Sequence, residues 1–229
     1  MIRTILFQLV FYGGSIPIVL GAPVAALFGS GALIRYAHVW AGFLNWCVRH
    51  IAGARVEVEG APLDTPALYV GKHESYFETL ELARRLHGPA VVMKRELLKI
   101  PVWGWSSRVY GVIPVDRTAS ASALRAIMRA GTAAKAAGRS VMIFPEGTRV
   151  SPGTQPELKS GFAGLYRALA LPVVPVAVQS GHVWARSGRM RPGTIRIRFG
   201  DPIAPGLPRA EAEARVHAGI NALDEATRV

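Results

Sequence analysis

A single cysteine, Cys47, occurs among the 229 residues, so no internal disulfide can form and an oxidised secreted scaffold is excluded. Paired cysteines at zinc-ribbon or redox-dithiol spacing are absent for the same reason, and a reducing compartment is expected. Charge is scarce at 18% of residues and acid scarcer still, with 15 Asp and Glu against 27 Lys and Arg. Half the residues are apolar, which excludes a disordered chain. No internal repeat, low-complexity linker or second domain boundary interrupts the chain. Nucleotide hydrolysis lacks its phosphate cradle, because no G-x-x-x-x-G-K-[ST] is present, and no G-x-S-x-G elbow supports a serine hydrolase. The H-E-x-x-H zinc pattern also fails, since Phe77 stands where its second histidine would be.

What the chain has instead is a net charge of +12. No acidic residue lies between Glu157 and Asp201, while Lys159, Arg167, Arg186, Arg189, Arg191, Arg196 and Arg198 accumulate there. A face of this kind favours anions such as phospholipid surfaces, acidic carrier proteins or phosphorylated substrates. Nucleic acid is not expected, because neither a recognisable module nor basic residues interleaved with aromatics occur.

From Thr4 to Ile34 the chain runs 31 residues without a formal charge, more than the roughly 20 needed to cross bilayer hydrocarbon as a helix. Pro17, Pro23 and glycines 13, 14, 21, 29 and 31 favour a kinked helix or a re-entrant segment over one straight span. A second stretch, His38 to Ile51, sets Trp40, Phe43 and Trp46 between Arg35 and Arg49, which suits the headgroup level. Residues 1–52 are therefore read as a membrane-associated helical pair. A cleaved signal peptide and a buried core helix are the competing readings.

Residues 53–229 alternate short β-branched runs with helical stretches, the pattern of an α/β domain with a mixed, largely parallel sheet flanked by helices. Strands are expected at 55–59, 67–70, 90–93, 112–115, 141–144, 173–178 and 195–199, the last as an edge. Helices are expected at about 76–87, 119–137, 160–170 and 209–226.

In such sheets ligands bind beyond the carboxyl ends of the strands, and three segments lie there. Gly71-Lys72-His73-Glu74-Ser75-Tyr76-Phe77-Glu78 carries a histidine that can accept a proton near neutral pH. Along a continuous helix, five positions would turn Glu78 about 140° away from His73. A helix starting near Ser75 leaves His73 outside and lets the bend bring carboxylate and imidazole together, as the orienting member of a triad requires. Ser75 to Glu78 is also a capping box, in which Glu78 merely bonds the cap backbone. The second and third segments end in Asp116-Arg117 and in Phe144-Pro145-Glu146-Gly147-Thr148-Arg149. Parallel strands would bring His73, Arg117, Glu146 and Arg149 to one edge, a base beside a two-arginine anion site.

His73-x-x-x-x-Glu78, Gly111 to Arg117, Phe144 to Arg149 and Val174-Pro175-Val176, in that order, resemble the four blocks of the lysophosphatidic acid acyltransferase (1-acylglycerol-3-phosphate O-acyltransferase) family. Lys94-Arg95-Glu96-Leu97 with Pro101 and Gly104-Trp105 is similar to that family's stretch between its first two blocks. The resemblance covers about residues 53–200, and the family also carries an N-terminal membrane-bound helical pair. It implies a glycerolipid acyltransferase fold and acyl transfer from acyl-CoA or acyl carrier protein to lysophosphatidate, giving phosphatidate at a membrane. His73 would be the base and Glu78 its orienting acid. Arg117, Glu146, Gly147 and Arg149 would form the acceptor-phosphate site, Thr148 and Lys94 would also bind substrate, and Pro175 would lie in the block associated with the acyl donor. No metal or tightly bound cofactor is implied. The expected site of action is the cytoplasmic side of the inner membrane. The family usually has Asp where this chain has Glu78, one methylene longer. Two other acceptor or functional classes stay open: a lyso-ornithine lipid or other lysophospholipid as acceptor, and a non-catalytic anionic-lipid-binding protein.

Overall fold

The computed structural model describes residues 1–116 and 121–224. Its first two helices are α1 (Ile2–Leu27) and α2 (Ser30–His50). They are followed by β1 (Ala54–Glu59), β2 (Leu68–Gly71), α3 (Phe77–Arg85) and β3 (Ala90–Lys94). A 3₁₀ turn at Arg95–Lys99 leads to α4 (Trp103–Tyr110), β4 (Ile113–Val115), α5 (Ala121–Ala136) and β5 (Val141–Ile143). The chain continues through α6 (Gly161–Leu169), β6 (Val173–Gln179), β7 (Gly193–Phe199) and α7 (Arg209–Ile220).

The seven strands form one sheet in the order β1-β7-β6-β2-β5-β3-β4. β6, β2, β5, β3 and β4 run parallel, and β7 with β1 runs antiparallel to them. The mixed, largely parallel sheet flanked by helices is thus as expected. Residues of the central strands are buried on both faces, as crossover helices demand: Leu68 and Val70 face one apolar cluster with α5, α6 and α7, and Tyr69 faces the other.

Two elements differ from the sequence reading. The alternating run at β7 is not an edge, because β1 pairs outside it. Its alternation arises because Ile195, Ile197 and Phe199 are buried while Arg196 and Arg198 form ion pairs with Glu57 and Glu59, their register partners on β1. The helix α4 has no counterpart among the expected elements; its eight residues include Gly104, where an added Cβ would clash with the Leu98 carbonyl oxygen.

α1 continues through both Pro17 and Pro23. Two of its three glycines serve close helix approach: a Cβ on Gly14 would meet the Phe43 ring at 2.5 Å, and one on Gly21 the Tyr36 hydroxyl at 2.6 Å. Phe7 and Phe11 are buried in the cluster that also holds Tyr69, Val174 and Val176, so α1 and α2 share a core with the sheet. The other face of α1 exposes Ile5, Leu9, Ile16, Leu20, Val24 and Leu27, at helical spacing. At 26 residues, with an 18-residue window of mean hydropathy 1.8, α1 is long and apolar enough to cross a membrane by length and composition, and its outward stripe suits membrane association.

Candidate active site

Parallel pairing brings the carboxyl ends of β2, β5, β3, β4 and β6 to one edge of the sheet. β2 delivers Lys72 and His73, β5 the loop from Phe144 to Val150, and β6 Ser180. α3 begins at Phe77, so His73 lies outside the helix and Glu78 in its first turn. The bend closes the pair: His73 Nδ1 and Glu78 Oε1 are 3.0 Å apart. The cap reading also holds, since the same oxygen accepts the Glu74 and Ser75 backbone N–H groups at 2.6 Å. Oε2 accepts hydroxyl hydrogen bonds from Ser75 and Ser180, each at 2.8 Å. One carboxylate therefore caps the helix and orients the histidine.

Glu78 is fully buried. Burial pushes its carboxyl up, but the His73 hydrogen bond and charge, the Ser75 N–H and the Ser180 hydroxyl outweigh this, leaving it below the ordinary glutamate value. With the carboxylate ionised, Nδ1 of a neutral His73 carries the proton and Nε2 the lone pair. The His73 side chain keeps 18% exposure and its ring stacks on Phe144 at 4.4 Å, so imidazole is the part of this assembly that reaches solvent.

The β5 loop is bonded to His73 at both ends of its peptide unit. The His73 N–H donates to Glu146 Oε2 at 2.8 Å, and the Val150 N–H donates to the His73 carbonyl at 2.7 Å. Gly147 has φ of +72°, a left-handed conformation that favours glycine and lets the loop turn back. Arg149 is half-buried with its guanidinium over the Tyr76 ring, 4.0 Å from the centroid. Stacking occupies the guanidinium face and leaves its N–H edge for an anion. Thr148 is exposed beside it. Lys94 is exposed at the end of β3, in register with Val115 of β4. Arg117 lies outside the described residues.

Two of the expected substrate-binding residues, Glu146 and Pro175, are buried. Glu146 is only 3% exposed and its carboxylate points inward, toward the His73 N–H and Lys72, so it braces the loop from within. Burial pushes it up to about 7 against the opposing His73 N–H and Lys72 charge. Pro175 is buried within β6 beneath α7, where a Cβ on Gly219 would come within 2.6 Å of its ring. It packs the sheet and does not line the edge where His73 emerges.

Several site residues escaped the sequence reading. Ser180 and Glu74 lock β6 to the His73 turn: Glu74 Oε2 accepts the Ser180 and Gly181 N–H groups at 2.8 Å. Burial raises Glu74 to about 7, despite those two bonds. A Gln-Ser-Gly sequence closing the apolar run Val173–Val178 was the available signal for Ser180. Among the described residues no group of three or more His, Cys, Asp or Glu is arranged to hold a metal ion.

The arrangement provides a carboxylate-oriented imidazole, an arginine whose N–H edge has no partner among the described residues and an adjoining apolar helix, which is what base-assisted transfer to an amphipathic anion needs. The chain as a whole is similar to known proteins. The sequence model described as Acyltransferase matches residues 55–179. The 1-acyl-sn-glycerol-3-phosphate acyltransferase of Pseudomonas aeruginosa is 34% identical over 225 residues, covering 93% of this chain and 85% of that protein. The human 1-acyl-sn-glycerol-3-phosphate acyltransferase alpha is 28% identical over 209 residues, covering 86% and 71%. In three dimensions, the crystal structure of the 1-acyl-sn-glycerophosphate (LPA) acyltransferase PlsC from Thermotoga maritima superposes with a TM-score of 0.78. The match spans 100% of this chain and 98% of that one, at 20% identity, and so establishes the fold. With these matches, the chain belongs to the lysophosphatidic acid (1-acyl-sn-glycerol-3-phosphate) acyltransferase family and is an acyl-transferring enzyme.

Proposed function

We propose that the protein transfers a fatty acyl group from a thioester, acyl-CoA or acyl carrier protein, to the free hydroxyl of lysophosphatidate, forming phosphatidate. The observation that carries this reading is the 3.0 Å contact of His73 Nδ1 with the buried Glu78, which directs Nε2 outward as a base. A glycerol hydroxyl is too weak an acid to ionise at neutral pH, so Nε2 takes its proton as the oxygen attacks the thioester carbonyl. The tetrahedral intermediate collapses, the C–S bond breaks, and the departing thiolate recovers the proton from the imidazolium. General-base assistance of this kind supplies roughly 10² to 10⁴ in rate.

Arg149, with Lys94 and Arg117, binds the acceptor phosphate, and the Gly147–Thr148 turn lets the headgroup approach. Glu146 supports that loop from inside. Residues 1–52 form the membrane-associated segment that presents lysolipid to the acyltransferase domain, 53–229. The outward apolar stripe of α1 supports this, as does the ring contact of Phe7 and Phe11 with Trp184, which itself touches Tyr76 at 5.9 Å. Soluble thioester donors place the domain on the cytoplasmic side of the inner membrane.

The test is acyl transfer in mixed micelles with paired donors and acceptors. His73→Ala should lower turnover at least about a hundredfold while the protein stays folded. Arg149→Ala should raise the KM for lysophosphatidate more than it lowers kcat. Near-normal turnover of His73→Ala sinks the base assignment, and faster acylation of lyso-ornithine lipid than of lysophosphatidate sinks the acceptor assignment.

A further inference from the structure

Lys72, immediately before His73, is 1% exposed, and a buried ammonium must be fully compensated. All three of its N–H donors have partners: the Thr154 carbonyl at 2.8 Å, the Asp224 carboxylate at 2.9 Å and the Asn221 side-chain oxygen. Its backbone N–H donates to Val176 of β6, so the residue is held at both ends. The three acceptors come from two separate places, the stretch that follows Arg149 and the residues that follow α7. A fourth group faces the ammonium without a direct bond. Glu146 Oε1 lies 3.9 Å from Nζ and has no hydrogen-bond partner among the described residues, while its Oε2 accepts the His73 N–H.

We propose that Lys72 is a positioning residue, a buried ammonium strut through which the residues after α7 hold the His73 turn and the Arg149 loop in register. The strut acts on the chemistry through Glu146. Its charge balances the carboxylate that fixes the His73 backbone, and its bond to Thr154 anchors the far end of the same loop. Removing the ammonium frees both attachments at once. The imidazole and the guanidinium then lose their fixed separation, although neither side chain has been altered. The proposal rests on His73 being the base.

The test compares Lys72→Met, Asp224→Asn and the double variant Lys72→Met/Asp224→Leu, with turnover measured per folded enzyme well below the lowest Tm. Each single variant should lower kcat about tenfold to a hundredfold, the cost of a misplaced catalytic group, with KM for acceptor and donor little changed. The double variant removes the Lys72–Asp224 pair and leaves only Glu146 without its cation, so Tm should recover in part toward wild type, because apolar replacement of a buried pair is tolerated where a lone buried charge is not. Its kcat should stay low, since the brace is still missing. Recovery of kcat together with Tm, or wild-type kcat in folded Asp224→Asn, overturns the proposal. His73→Ala is the control. If it is inactive while Lys72→Met is normal, only the strut fails, and if it is active the base reading has failed.

Discussion

Glu78→Gln separates the charge of the orienting residue from its geometry. Oε1 accepts three hydrogen bonds, two of them from backbone N–H groups, so a glutamine must place its carbonyl oxygen there; its NH₂ would meet the Glu74 and Ser75 N–H groups head-on. The NH₂ then faces the Ser75 and Ser180 hydroxyls, which can rotate to accept. Fold and tautomer of His73 are retained, and only the negative charge beside the developing imidazolium is lost. Hydrogen bonds to charged groups contribute about 1.5–3 kcal/mol and this term grows as the imidazole takes up its proton, so kcat should fall about 10- to 150-fold. Glu78→Asp should also lose activity, because α3 starts at Phe77 and a side chain one methylene shorter cannot keep all five bonds from the same backbone. Single-turnover acyl transfer with a radiolabelled thioester, on protein whose circular dichroism matches wild type, measures the step directly. A Glu78→Gln enzyme with unreduced kcat would refute the argument that the carboxylate stabilises a protonated His73.

Further expectations concern the surroundings of that pair. Tyr76→Ala should raise the KM for lysophosphatidate about two- to fivefold, the worth of an exposed cation–π contact, with Tyr76→Phe close to wild type; equal effects of the two would show that the ring face does not steer Arg149. Glu74 is raised to about 7 in the fold from 4.5, so its ionisation destabilises the protein as pH climbs through that window. The Tm of Glu74→Gln relative to wild type should therefore increase between pH 5 and about 7.5, and a pH-independent difference would contradict it. Replacing Leu9, Ile16 and Leu20 of the outward α1 stripe by serine should weaken binding to phospholipid vesicles at least about tenfold in a flotation assay, since each buried aliphatic side chain contributes about 1.5–3 kcal/mol.

The parts of this molecule that were legible beforehand are those whose cause is local. Each strand announces itself as a short β-branched run between turn residues, and the His73–Glu78 pair can be built from five residues and one helix start. Long-range partners leave no such trace. Ser180 meets Glu78 across 102 positions and Lys72 meets Asp224 across 152, and neither end of either pair has a local reason to expect the other. Motif membership also misleads about direction. Glu146 sits in the same six-residue segment as Arg149, yet one side chain turns into the protein and the other toward the surface, because the left-handed turn at Gly147 comes between them. Pro175 matches a block of the family and nevertheless lies under α7, since it is the third of the seven residues of β6 and so sits short of that strand's carboxyl end.

The same long-range contacts explain why a helix suited to a bilayer has to be read together with the chemistry. Phe7 and Phe11 of α1 pack edge-on against Trp184 at 5.1 and 5.8 Å, Trp184 touches Tyr76 at 5.9 Å, and Tyr76 carries the Arg149 guanidinium. Close-packed aromatic contacts transmit displacement instead of absorbing it. An α1 that shifted on its own would therefore carry Tyr76 and Arg149 away from His73, whose own position is set by Glu78 and Glu146. Under the proposed mechanism, acceptor binding and proton removal stay in register only while the helix and the sheet move as one body, which their shared apolar core makes the low-energy arrangement.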